Sequence, residues 1–229
     1  MKTIGLIGGI SWVSTIDYYR IINTKVNERL GGNESARIIL HSVNYGEIVA
    51  LTIKGDWDSI SNIITTAAQN AEKAGANCIL LCANTMHKIA DNIQNAVSIP
   101  LIHVADITAD AIQKKNIKSV LLLGTRYTME ADFYKQRLKQ YGIELILPGK
   151  DDIDFVNSSI YNEMGKGIFL PETKKTYLEI INKYSEAGAA GVILGCTEIP
   201  MLIKQEDCPL PVFDTTLLHA SAAVDFALK

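Results

Sequence analysis

Charge of one sign is what this sequence most plainly lacks. Its 22 Lys and Arg stand against 25 Asp and Glu, for a net charge of −3, with no basic run. A nucleic-acid partner is therefore not expected. Cysteine is also scarce. Cys78, Cys82, Cys196 and Cys208 in a chain of 229 residues do not make a disulfide framework. Cys78 and Cys82 give a C-x3-C spacing with no second ligand pair, and a structural zinc site normally needs four N or S ligands; no metal is expected. There is no low-complexity stretch, no clear linker and no apolar run long enough to span a bilayer. The opening MKTIGLIGGIS is too short and too Gly-rich for a signal peptide and reads as a first strand. These absences point to a cytoplasmic protein with reduced thiols and no membrane contact.

What the chain does have is a high hydrophobic content, 48% of residues, ample for a core in one large domain or two small ones. Short apolar runs recur: TIGLIG (3–8), ARIILHSV (36–43), CILLCA (78–83), PLIHV (100–104), SVLLLG (119–124), IELILP (143–148), GVILGC (191–196) and LPVFD (210–214). They are continuous rather than alternating, as in strands covered on both faces. Helical patterns lie between them, at 14–30, 58–74, 105–115, 129–141, 152–165 and 171–187. Repeated β then α implies an α/β protein with parallel sheets.

The chain also repeats itself. TIGLIGG (3–9) matches SVLLLGT (119–125), AGANCILLCANT (74–85) matches AGAAGVILGCTE (187–198), and IPLIHVADITADAI (99–112) matches LPVFDTTLLHASAA (210–223). Each match is weak alone, but the three keep the same order at similar spacing. They predict two similar α/β domains related by a pseudo-twofold axis. The third unit follows the second half, so the C-terminal strand and helix are expected to return to the first domain. The expected division is 1–98 plus 210–229, and 99–209. Ligands of open α/β sheets sit beyond the carboxyl ends of the strands, so an active site in the cleft between the domains is expected.

LLCANTMH and ILGCTEIP both fall at the carboxyl end of a strand. Each brings a cysteine with small hydroxyl or amide residues to a turn before a helix. A cysteine on each side of one cleft suits racemisation at Cα, where one thiolate removes a proton from one face and a thiol returns it on the other. A helix N-terminus near the cysteine would favour its thiolate and could hold a substrate carboxylate.

At these residues the sequence resembles the cofactor-independent aspartate/glutamate racemases. The resemblance rests on C-A-N-T-M-H (82–87), G-C-T-E (195–198) and IGLIGGISW (4–12), and extends to GTRYTM (124–129) and PVFDT (211–215). It implies two α/β domains, a paired-cysteine mechanism with no pyridoxal phosphate or other cofactor, a small amino acid as substrate, and commonly a homodimer. The family also contains relatives acting on hydantoins, arylmalonates and maleate, so a hydantoin racemase or a decarboxylase is an alternative. A non-catalytic amino-acid-binding protein that kept the cleft and lost one thiol is another, favoured by Ala83 and opposed by the retained G-C-T-E.

Ala83 is the departure from the family. Many members carry the first cysteine directly before Asn-Thr; here the order is Cys82-Ala83-Asn84-Thr85. In the internal repeat Ala83 aligns with Cys196, and Cys82 with Gly195. Successive strand residues point to opposite faces. A regular strand therefore turns Cys82 away from the cleft and leaves Cys196 as the one catalyst, whereas a bulge lets both Cys82 and Cys196 act. With one thiol, proton exchange on one enantiomer is expected.

The other candidates each have a plainer role beside the functional one. Ser11, at a Gly-rich strand-to-helix turn, is a substrate-carboxylate contact or simply a helix N-cap; the glycine spacing is not that of a dinucleotide site. Asn84 and Thr85 carry donors and acceptors for the substrate or serve the turn itself. Thr125 and Thr197 are their matches in the second half. Glu198 could accept the thiol proton or bind the substrate ammonium, while disfavouring a thiolate by like charge; its plainer role is a salt bridge or cap. Lys166 lies on a Gly-flanked loop that could close over the site. The family resemblance implies a distal-carboxylate contact there, against an ordinary surface lysine. The segment 44–58 offers no arginine, only Lys54, where some family members have one. His87 at a helix start, and Tyr18 and Tyr19 on a helix, read as structural or dimer-surface residues.

Overall fold

The computed structural model describes residues 1–229. In chain order the elements are β1 (Ile4–Gly8), α1 (Trp12–Leu30), β2 (Ile38–Ser42), α2 (Tyr45–Lys54), α3 (Trp57–Lys73), β3 (Cys78–Leu81), a 3-10 turn over Asn84–Ile89 and α4 (Ala90–Ala96). They continue with α5 (Val104–Lys114), β4 (Ser119–Leu123), α6 (Arg126–Glu130), α7 (Asp132–Gln140), β5 (Glu144–Ile146), α8 (Lys150–Asn162) and a 3-10 turn over Met164–Lys166. The last are α9 (Pro171–Glu186), β6 (Val192–Leu194), α10 (Ile199–Leu202), a 3-10 turn over Gln205–Asp207, β7 (Val212–Asp214) and α11 (Thr215–Ala227).

The strands form two parallel sheets, ordered β2-β1-β3 and β5-β4-β6-β7. The chain divides into two compact units, Met1–His103 with His219–Lys229, and Val104–Leu218. This differs from the expected division at both boundaries: residues 99–103 stay with the first unit, and the return to it comes later than residue 210. β7 pairs with β6, Val192 beside Val212, so residues 210–218 stay in the second unit and the chain rejoins the first only within α11. The matching run PLIHV supplies the first sheet with one isolated bridge, Ile79 to Leu101. Pro100 has no N–H to extend that ladder, although its carbonyl accepts from Ile79 N–H.

In the first unit the sheet separates two apolar clusters. Ile7, Ile79 and Leu81 face α2, α3 and α4 through Ile48, Ile60, Ile64, Ala68 and Ile93. Ile4, Leu6, Cys78 and Leu80 face α1 and α11 through Tyr18, Ile22, Val26, Ala220 and Val224. Both faces of the central strands are covered, which is why their apolar runs are continuous rather than alternating. β2 is the exception, an edge strand half open to solvent. In the second unit β4 and β6 are buried among Tyr134, Leu138, Val156, Tyr177 and Phe213. No helix is long and apolar enough to cross a membrane.

Candidate functional site

In the first unit, β1 ends in a turn that only glycine permits. Gly9 sits at φ +78°, and a Cβ there would collide with the Val43 carbonyl. Thr15 closes the turn: its hydroxyl accepts from Gly9 N–H at 2.9 Å and donates to the Ser11 carbonyl at 2.9 Å. Ser11 is the N-cap of α1, but the bond it accepts from Ser14 N–H is long, 3.5 Å. The Ser14 hydroxyl lies 2.8 Å from both the Ser11 and Cys82 carbonyls, tying this turn to the one after β3. Ser14 and Thr15, which hold this turn, were not singled out from the sequence; their signal was the spaced hydroxyls of Ser11, Ser14 and Thr15 in the first turn of the helix after Gly8-Gly9.

The turn after β3 answers how Cys82 is oriented. Cys82 N–H donates to the Ile7 carbonyl at 2.9 Å, continuing the ladder. Cys82 then packs in the same cluster as Cys78 and Leu80, beneath α1 and α11. Ala83 is extended, at φ −156° and ψ 133°, and packs on the opposite face with Ile79 and Leu81. The alternation runs through residue 83 without a bulge. Cys82 is fully buried, and burial pushes its thiol far above the ordinary range. Asn84 and Thr85 open the following 3-10 turn, Asn84 buried and Thr85 half-buried.

The turn after β6 repeats this geometry. Gly195 N–H donates to the Leu123 carbonyl at 2.7 Å, as Cys82 N–H does to Ile7. Gly195 is glycine because a Cβ would lie 3.0 Å from Leu122 Cδ1 and 3.1 Å from the Leu123 carbonyl. The hydrogen bonding thus sets Gly195 against Cys82, and Cys196 against Ala83. Cys196 is partly exposed. Its Sγ lies 2.9 Å from Glu198 Oε2 and donates to it; the Thr197 hydroxyl donates to the same oxygen at 2.7 Å. Glu198 is buried. Burial and then the Glu198 charge hold the Cys196 thiol well above its ordinary value. The backbone N–H groups of Thr197 and Glu198, at the start of α10, do favour the thiolate as expected, but burial and the Glu198 charge outweigh them. α10 has only four residues, too few for an appreciable dipole, and desolvation wins. Tyr177, bonded to the Ser159 hydroxyl at 3.0 Å, is buried in the cluster against which Cys196 packs; no sequence pattern pointed to it.

Thr125 caps α6, accepting from Thr128 N–H at 3.3 Å. Lys166 is exposed and ends a 3-10 turn tied down by its own N–H to the Glu163 carbonyl at 2.8 Å, with Gly167 left-handed at φ +77°. Lys54 ends α2. Tyr18 is buried while Tyr19 is exposed. Cys78, buried early in β3, has its thiol pushed up to about 11 by desolvation, and Cys208 is buried in the turn before β7.

With this geometry in place, the comparisons decide the family. The model of the Asp/Glu/hydantoin racemases matches residues 7–223. The chain belongs to that family. It is, with the family, a racemase-type isomerase. A Yersinia pestis structure whose assignment as an Asp/Glu racemase is itself provisional is similar over 100% of both chains, with 49% identity and a TM-score of 0.95. An aspartate racemase homologue from Pyrococcus horikoshii is similar over 100% of both chains at 34% identity, with a TM-score of 0.89. The broad-specificity amino-acid racemase RacX of Bacillus subtilis is 26% identical over 169 residues, 74% of this chain and 73% of its own.

Proposed function

We propose that this racemase-family protein exchanges the Cα proton of a small amino acid, with aspartate and glutamate the first substrates to try, and that Cys196 is its one acid–base thiol. The observation that carries this is the 2.9 Å contact between Cys196 Sγ and Glu198 Oε2, with Ala83 in the matching position of the first unit. At rest the pair holds one proton, on sulfur. Its transfer to Glu198 generates the thiolate, which takes the Cα proton; the carbanion then takes it back, or a solvent deuteron, on the same face. The carboxylate thus gives the thiol proton a place to go within the site, while its charge, like burial, opposes the thiolate.

In this reading Cys82 is core, not catalyst. Inversion needs a proton delivered to the opposite face, where no thiol stands at position 83, so water must supply it slowly. Ser11, Asn84, Thr85, Thr125, Thr197 and Lys166 are the polar groups we assign to the substrate's charged ends. We also assign the exposed stripe Trp12, Ile16 and Tyr19 on α1, at helical i, i+4, i+7 spacing, to self-association as a homodimer. Proton NMR in D2O with L- and D-aspartate and L- and D-glutamate tests the chemistry: one enantiomer should lose its Cα proton much faster than it inverts. Sedimentation of Trp12→Ser tests the dimer; an unchanged mass would remove that assignment.

A further inference from the structure

Three of the chain's four histidines meet in the first unit, directly behind the Asn84–Thr85 turn. The His87 ring centroid lies 4.7 Å from that of His103 and 5.4 Å from that of His219, with edge-to-face geometry in both pairs. All three are buried: His87 is 2% exposed, His103 7% and His219 0%. The remaining histidine, His41, lies on edge strand β2.

Hydrogen bonding fixes the tautomers of two of them. His219 Nε2 lies 2.7 Å from the Ile102 carbonyl, which can only accept, so Nε2 carries the hydrogen. His219 Nδ1 then accepts from the Tyr18 hydroxyl at 2.8 Å. Its two ring nitrogens are thus satisfied in the neutral form. His87 Nδ1 lies 3.2 Å from the Ala83 carbonyl and 3.3 Å from the Asn84 carbonyl. Both are acceptors, so Nδ1 carries the hydrogen and clamps the start of the turn from which Asn84 and Thr85 project. His87 Nε2 is left as a bare lone pair, buried and with no partner. A buried polar atom without a partner is costly and calls for a reason.

We propose that His87 is a proton-sensitive clamp on the Asn84–Thr85 turn: neutral, it holds the turn through the Ala83 and Asn84 carbonyls; protonated, its ring leaves the core and the turn opens. The added proton falls on Nε2, which has no acceptor there, in a site faced by two further imidazoles. The titratable groups around it are His103, just before α5, His219 on α11 and, through His219, Tyr18 on α1. Desolvation and then the two neighbouring imidazoles keep His87 neutral well below the ordinary histidine range. The inference rests on the proposed substrate role of Asn84 and Thr85, since an open turn then weakens substrate binding. His87 is a positioning residue: it acts through the turn and touches no reacting atom.

The test has two arms. Imidazole 15N NMR on the full-length wild-type protein follows each histidine through an acid titration, with amide hydrogen exchange read at residues 83–87. The expected result is a single Nδ1–H tautomer for His87 at neutral pH, and faster exchange at 83–87 as it protonates. In His87→Gln, whose amide can still donate to the Ala83 carbonyl but cannot titrate, the acid-induced opening should vanish. An ordinary His87 titration near 6.5 with no change at 83–87, or the same opening in His87→Gln, overturns the proposal. The second arm measures steady-state Cα exchange of aspartate and glutamate: KM should rise roughly tenfold per pH unit once His87 protonates, with kcat less affected. Absence of exchange at every pH would overturn the functional reading instead, and the first arm, which needs no substrate, would still decide the clamp.

Discussion

After β3 the chain passes from the Cys82 N–H, bonded to the Ile7 carbonyl, into Ala83; after β6 it passes from the Gly195 N–H, bonded to the Leu123 carbonyl, into Cys196. The two turns share a hydrogen-bonding frame and differ in what it presents. One offers a methyl group followed by Asn84 and Thr85, backed by buried imidazoles. The other offers a thiol bonded to a buried carboxylate. A cysteine one residue early is not a small variant of the second arrangement, because the two-residue period of a strand sends it to the other side of the sheet. Proximity in sequence to a binding turn is therefore no guide to proximity in space; the register is.

The largest effect on this comparison should come from removing the thiol. Cys196→Ala should lower Cα exchange by about 10³-fold or more while the far-UV spectrum and thermal midpoint stay close to wild type, and a variant that keeps a tenth of its rate would break the assignment. Next comes the attempt to make the turns alike. Ala83→Cys places a thiol where the frame already points it, and chiral chromatography should then find racemisation rising toward the exchange rate, by about tenfold or more. An unchanged ratio of inversion to exchange would mean that position 83 does not face the substrate.

Glu198→Gln separates the two influences on Cys196. Losing the carboxylate should slow exchange by about 10- to 100-fold, yet the thiol should alkylate with iodoacetamide at lower pH than in wild type, because a like charge that held its proton has gone. Slower exchange with slower alkylation would instead point to a simple loss of local structure. Cys82→Ser should leave exchange untouched and cost about 1–3 kcal/mol in urea unfolding, for a hydroxyl set in an apolar core.

Acid should distinguish the units more gently. His219 is held down to about 4 by burial, against its ordinary 6.5. Its folded value is depressed, so the unfolded chain takes up the proton first. The stability it contributes is complete above about pH 6.5 and is lost as pH falls toward 4, a slope of up to about 1.4 kcal/mol per pH unit. The buried imidazoles belong to the first unit alone, so hydrogen exchange near pH 5 should loosen β1 and β3 before β4 and β6. The reverse order would contradict that assignment.

Much of this was legible in the sequence. β1, β3, β4 and β6 are continuous apolar runs because both faces are covered, and the internal repeat already set Ala83 against Cys196. The run at 100–104 misled, since its apolar character reflects burial while Pro100 and the local path allow one bridge only. The run at 210–214 had the right conformation and the wrong sheet; nothing in a strand's own residues says which edge it joins. α2 has its local signal in Asn44, whose side chain caps that helix, but its short apolar pattern does not stand out within 44–58. The like charge of Glu198 beside the thiol was legible; the larger cause of its raised pKa, the burial of Cys196, was not, because it depends on tertiary packing. The histidine cluster joins positions 87, 103 and 219, which no local pattern connects.

The most direct test of the central claim is Cα deuterium exchange in D2O, with both enantiomers of aspartate and glutamate, on wild type, Cys82→Ala and Cys196→Ala together. One thiol predicts exchange confined to one enantiomer, unchanged in Cys82→Ala and abolished in Cys196→Ala. Equal exchange of both enantiomers, with one of them silenced by Cys82→Ala, would contradict it and place two cysteines at work.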